Sequence, residues 1–229
     1  MLAYKAWRES QLRFLVSAAT LAGFSSLFLI FRSGIRQALA EPFAEFVADD
    51  IYGGGLRNLY VVFIVVLGLG GLLQESARGT APLTLSLPVG RTRVVVTRAV
   101  VGLLEVAGLA AVPTPAVCSL APFIHQSYPL REALHWSAQW TAGGTVLFAG
   151  AFFLSTRFGE PYTALGMSMA ALFGYSILVN LPLINELPWL NVFRLMSSPT
   201  FEPPRLGVAI LVATLIVTGA ARATEHQDF

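Results

Sequence analysis

Glu105 stands among Leu103, Leu104, Val106 and Ala107, midway along an apolar run. A carboxylate surrounded by hydrocarbon is expensive, so it must face a bundle interior or a cavity, either as a functional group or as a neutral acid bonded to Gln139 or another helix. Gln139 and Asn180 also fall in apolar runs, where amides more often join helices than bind a solute. His125, His135 and His226 fall in loops or the tail, so no serine–histidine pair is expected within a span. Asp49 and Asp50 have no further ligand nearby in sequence and read as a solvated face, leaving no metal or cofactor site to expect. Cys118 is the single cysteine and sits in an apolar stretch, where it is expected to pack as a small hydrophobe. Lys5 is the sole lysine. A phosphate-binding loop needs a glycine-rich turn followed by Lys and Ser or Thr, so if ATP drives this protein another chain binds it. These residues point away from an enzyme.

The elements that position these groups follow from composition. Of 229 residues, 55% are hydrophobic and 12% charged, against about 25% charged in a soluble domain. Too few charges remain to clothe a wet surface, so most of the exterior must face lipid. A net charge of +2 gives no sign of nucleic-acid binding. Taking apolar runs of roughly 17–25 residues as spans gives an all-α, polytopic membrane bundle with about six transmembrane helices. They are Phe14 to Phe31, Leu56 to Leu73, Ala99 to Leu120, Trp136 to Leu154, Ala164 to Leu183 and Leu206 to Ala221. Pro113 and Pro115 should kink or end the third. Basic residues favour cytoplasmic termini: Lys5, Arg8, Arg13, Arg78, Arg91, Arg93, Arg98, Arg157 and Arg222 then lie inside. Trp7, Trp136, Trp140 and Trp189 fall at span edges or in flanks, which suits the headgroup level. Gly68, Gly70 and Gly71, and the row Gly166, Ala170 and Gly174, would permit close helix approach within the chain or between copies.

Outside the spans, residues 1–13 form an amphipathic stretch expected to lie as an interfacial helix on the inner leaflet. Pro42 can open, and Gly53-Gly54-Gly55 can close, a short outer helix. The apolar segment 181–204 holds Pro182, Pro188, Pro199, Pro203 and Pro204, and reads as short outer-side helices capping the bundle. The cytoplasmic segment 74–93 joins the second and third spans. It opens polar, turns at Gly79-Thr80, continues through Leu83, Leu85 and Leu87, and closes on Pro88-Val89-Gly90-Arg91. A bare turn needs less chain, and leucines beside charges suggest a docking surface.

In this segment the chain resembles the permease subunits of type-2 ABC transporters. That family shows an acidic residue, three positions, Gly-Thr, a leucine-rich stretch, then Pro-Val, one position and Arg. Glu75, Gly79, Thr80, Leu83, Leu87, Pro88, Val89 and Arg91 match it, with Arg78 inside the motif, while Pro82 and Thr84 depart from the usual leucine run. The match covers under a tenth of the chain. The resemblance implies the transmembrane permease of an exporter in the bacterial inner membrane, coupled through this segment to a separate ATPase chain. It also implies a second permease copy, as a homodimer or with a sister permease. A non-enzymatic scaffold or assembly subunit of a larger membrane complex is the alternative.

Overall fold

The computed structural model describes residues 2–35, 42–69, 90–158, 160–181, 191–200 and 202–225. Among them the secondary structure is helical, with no strand. The elements are α1 (Leu2–Ile35), α2 (Phe43–Phe46) running into a π-helical turn (Val47–Tyr52), α3 (Gly55–Gly68), α4 (Arg91–Ala111), α5 (Pro113–Leu120) with a 3-10 turn (Ala121–Ile124), α6 (Leu130–Arg157), α7 (Pro161–Val179), α8 (Val192–Met196) and α9 (Pro203–Glu225). Five described stretches are long and apolar enough to cross a membrane: Leu2–Arg32, Phe43–Gly68, Thr92–Ile124, Tyr162–Val179 and Pro203–Ala223. The chain is an integral membrane protein built as a polytopic helix bundle.

The expected fourth span, Trp136 to Leu154, lies within α6 and is less apolar than these five. Its 28 residues extend about 42 Å, enough to cross a bilayer. Polarity here reflects position rather than exposure, because α6 packs against α3, α4, α5, α7, α8 and α9 at the centre of the bundle. Trp140 is fully buried and Trp136 nearly so, which corrects their expected place in a headgroup belt. Trp140 stacks on Tyr60 at 4.8 Å, and Tyr52 stacks on Trp136 at 5.4 Å. The Tyr60 hydroxyl donates to the Trp140 carbonyl (3.0 Å), and Trp140 Nε1 donates to the Tyr52 carbonyl (3.2 Å). Stacked rings of this kind add about 0.5–1.5 kcal/mol each beyond the area they bury. At the end of the span, Trp136 Nε1 donates to the Tyr128 hydroxyl (3.2 Å), and burial pushes the Tyr128 phenol up to about 12.

Two other expectations change. Of the expected interfacial stretch 1–13, the described part from Leu2 onward runs without a break into the first span, since α1 is one helix of 34 residues, about 51 Å long. The expected interfacial helix is therefore the start of α1. The second span ends as helix at Gly68, and its apolar stretch begins at Phe43 rather than Leu56. Pro42 and Gly53 do bracket the α2 element, and a Cβ on Gly54 would sit 2.8 Å from the Asp49 carbonyl oxygen. That element packs onto the bundle, with Phe43 and Phe46 buried under the Arg32 guanidinium at 4.9 and 5.2 Å. Pro113 starts α5 after a single αR residue, Val112, so the third span is interrupted without turning back.

Contacts fix the helix directions. Gly102 meets Phe148, Gly144 meets Val106 and Thr114 meets Ser137, so α4 and α6 are antiparallel. Tyr60 meets Gly144 and Gly68 meets Ala151, so α3 and α6 are parallel. Ser10 meets Glu105 and Phe14 meets Gly108, so α1 runs parallel to α4. Only three residues separate Arg157, the end of α6, from Pro161, the start of α7, so the two long helices run opposite ways, while Gln139 bonds to Thr200 just before α9 and Ala142 clusters with Ala209 on it, so α9 runs parallel to α6. Helices α1, α4 and α7 thus run one way and α3, α6 and α9 the other, which leaves Leu2 and Glu225 at the same end.

Close approach is made where glycine allows it. A Cβ on Gly144 would lie 2.9 Å from Val106 Cγ1 and would strike the Tyr60 ring, and one on Gly68 would lie 3.1 Å from the Phe148 carbonyl oxygen. Gly166 and Gly174 meet nothing within 4 Å. Gly144→Val and Gly68→Val should each cost about 1–3 kcal/mol through overpacking, read as a lower thermal unfolding midpoint in detergent. Gly166→Ala should be neutral or slightly stabilising. A Gly166→Ala variant less stable than Gly144→Val would contradict this packing.

Candidate functional site

The segment that carries the sequence motif falls largely outside the described residues: Glu75, Arg78, Gly79, Thr80, Leu83, Leu87 and Pro88 are among those not described. Its two anchors are described. Leu69 closes α3, and Gly90 caps α4, whose first residue is Arg91, with the Gly90 carbonyl accepting from the Arg93 amide (2.9 Å). Val95 and Ala99 bury the first turns of α4 in the core, and Gly68 seats the last turn of α3 on α6. The residues flanking the segment are therefore held by the bundle at both ends.

Beside these anchors α1, α3 and α4 meet through polar side chains. Glu105 is 4% exposed and accepts a short hydrogen bond from the Ser10 hydroxyl of α1. Nearer the helix ends, Arg98 Nη2 of α4 pairs with Glu9 Oε2 at 3.0 Å, and Lys5 Nζ lies 3.9 Å from the other Glu9 oxygen. Arg13 Nη1 donates to the Val66 carbonyl of α3 at 3.3 Å, and Arg13 lines the same crevice as Glu9 and Glu105. Helix geometry explains the assembly. Glu9 and Arg13 are four residues apart on α1, and Arg98 and Glu105 are seven apart on α4, so each pair faces one way. The groups line a crevice of about 30 Å³, room for roughly one water and nothing larger. The cluster is a junction between helices rather than a solute site.

The three intramembrane polar residues singled out from the sequence are not brought together. Glu105 bonds to another span, α1, and not to Gln139. Gln139 is 1% exposed at the opposite end of the bundle, where its Nε2 donates to the Thr200 carbonyl (2.9 Å) and ties α6 to the chain preceding α9. Asn180 is exposed and donates to the Ser176 carbonyl of its own helix (2.6 Å). Ser10, Glu9, Arg13 and Arg98 complete the junction, and sequence reasoning placed them in a cytoplasmic flank. Their spacing marks common faces on α1 and α4, but only the fold shows that those faces meet.

Truncating one member of a buried charged set commonly costs about 3–5 kcal/mol, because the partner is left uncompensated. Glu105→Ala should approach that loss, measured by thermal or denaturant unfolding in detergent. Glu105→Gln keeps an acceptor for Ser10 and should cost clearly less, about 1–3 kcal/mol. Equal stability of both variants and the wild type would remove Glu105 from the junction.

No family model matches the chain and no curated protein matches it, so the functional reading rests on these residues and their arrangement.

Proposed function

We propose that this protein is the transmembrane permease subunit of an ABC exporter, working with a separate ATPase chain in a bacterial inner membrane with both termini cytoplasmic. The observation that carries this reading is the polar junction of α1, α3 and α4, beside the two anchors of the segment that bears the Glu75 to Arg91 motif. Force applied to that segment reaches α3 and α4 directly, and reaches α1 through Glu9–Arg98, Ser10–Glu105 and Arg13–Val66. Coupling of this kind needs packed elements that move as units. Nucleotide binding by the partner then shifts the bundle between two arrangements by favouring one of them. The row Gly166, Ala170 and Gly174 on α7, its glycines meeting nothing within 4 Å in this chain, is open to the second permease copy that such a transporter uses.

Isolation from native membranes should bring down an ATPase with the chain, and the chain alone should not bind ATP. Arg91→Glu and Glu75→Ala should leave insertion intact but weaken ATPase capture or uncouple its turnover in reconstituted vesicles. Loss of a desolvated partner would cost about 2–5 kcal/mol, whereas a rim contact would instead show as salt-sensitive association. Arg131→Glu, exposed at the opposite end of the bundle, is the control. Recovery of a stable complex without any ATPase would favour an assembly subunit, and wild-type behaviour of both variants would remove the motif from coupling.

A further inference from the structure

Two cavities meet along α7. The first, about 380 Å³, is walled by apolar side chains of α3, α6, α7 and α9, including Val65, Val146, Leu172 and Val212. Its size falls in the range of small-molecule sites. One buried polar group in its wall is unanswered: Ser168 is 3% exposed and its hydroxyl has no hydrogen-bond partner among the described residues. Other buried or half-buried serines in this chain bond back to their own helix, as Ser25 does to the Leu21 carbonyl (2.7 Å) and Ser26 to the Ala22 carbonyl (2.8 Å). In an apolar wall that offers it no protein partner, the Ser168 hydroxyl is placed to bond a polar atom brought by an occupant.

The second cavity, about 840 Å³, shares Leu172 and Asn191 with the first and extends toward the end of the bundle that holds Asn180. Its lining is mixed, with Val62, Phe173 and Phe193 beside the amides of Asn58 and Asn180 and two basic side chains, Arg57 and Arg194. Arg57 donates to Ser197 Oγ and to Asn58 Oδ1 (3.3 Å), with its guanidinium 5.8 Å from the Phe193 ring centre. Among the described residues neither Arg57 nor Arg194 pairs with a carboxylate, whereas Arg205, in the wall of the first cavity, is paired with Glu202. Among the described residues no Asp or Glu lines either cavity. Along α7 the distance from Ser168 to Ser176 and Asn180 is about 12–18 Å at helical rise.

We infer that the joined cavities bind one elongated anionic amphiphile, its acid group against Arg57 and Arg194, its chain along the apolar slot, and a hydrogen-bonding group in that chain at Ser168. Guanidinium groups recognise carboxylate and phosphate alike, so the acid is defined by charge. The inference does not depend on the permease reading, and its failure would leave that reading untouched.

The test uses the full chain in phosphatidylcholine nanodiscs, photolabelled with a diazirine-bearing hexadecanoic acid and mapped by peptide mass spectrometry. Label should fall on cavity residues such as Leu172 and Ile216. Hexadecanoic acid and hexadecyl phosphate should compete, whichever of them is stronger identifying the headgroup, and hexadecyltrimethylammonium should not. The compound 16-hydroxyhexadecanoic acid should compete about 3- to 10-fold better than hexadecanoic acid, the worth of one hydrogen bond. Ser168→Ala should abolish that preference, and the double change Arg57→Gln with Arg194→Gln should weaken both acids about tenfold or more. Labelling spread over lipid-facing residues such as Phe24 and Leu27, equal competition by the cationic amphiphile, or no preference for the hydroxylated acid in the wild type would each overturn the proposal.

Discussion

Hydrocarbon offers no partner to a polar group, and that constraint arranges this bundle. Each polar side chain within the spans must meet another polar atom of the protein or pay the full cost of its desolvation. Helix α6, whose span-length stretch is less apolar than the other five, therefore lies at the centre, where Trp140, Ser137 and Gln139 find Tyr52, Thr114 and Thr200. The more apolar helices α1, α7 and α9 take the periphery, turning Phe24, Phe173 and Leu215 outward. In a soluble protein the order would be reversed, with the most apolar helix innermost. Glycines then set how closely the layers approach, and the tight contacts at Gly68, Gly102 and Gly144 all involve α6.

The same constraint makes the junction of α1, α3 and α4 a unit. Glu105 cannot leave Ser10, nor Arg13 the Val66 carbonyl, without exposing an acid or a charge to lipid, and Arg98 holds Glu9 beside them. Helices joined this way respond together to a push on the segment between α3 and α4. Helix α7 is tied differently: the Val192 amide at the start of α8 donates to its Tyr175 hydroxyl (2.8 Å), toward the opposite end of the bundle. The bundle is thus tied by the α1–α4 ion pair at one end, and at the other by the aromatic and amide contacts of α6 with its neighbours.

Much of this fold was legible in the sequence because lipid exposure leaves long apolar runs. The spans, the break at Pro113, the short element between Pro42 and Gly53, and the inward placement of Glu105 all follow from local residue types. The errors share a cause. Lys5, Arg8, Glu9 and Arg13 read as a surface helix because charge usually means water, but here Glu9 and Arg13 face partners on α3 and α4, separated from them by tens of residues of chain. Trp136 and Trp140 read as headgroup anchors for a similar reason: their position at the start of an apolar run suits a belt, and only the packing of α6 shows them enclosed. Gly102 and Gly144 carried no visible mark, since a glycine's importance in a helix depends on the side chain opposite, Phe148 or Tyr60.

The most direct test of the junction is a double-mutant cycle across Glu9 and Arg98, with unfolding followed in detergent for Glu9→Gln, Arg98→Gln and the pair. The account predicts that the double variant loses less stability than the sum of the singles, with a coupling of about 0.5–3 kcal/mol. Strict additivity, within about 0.3–0.5 kcal/mol, would mean that α1 and α4 are not held together by this pair and would contradict the account.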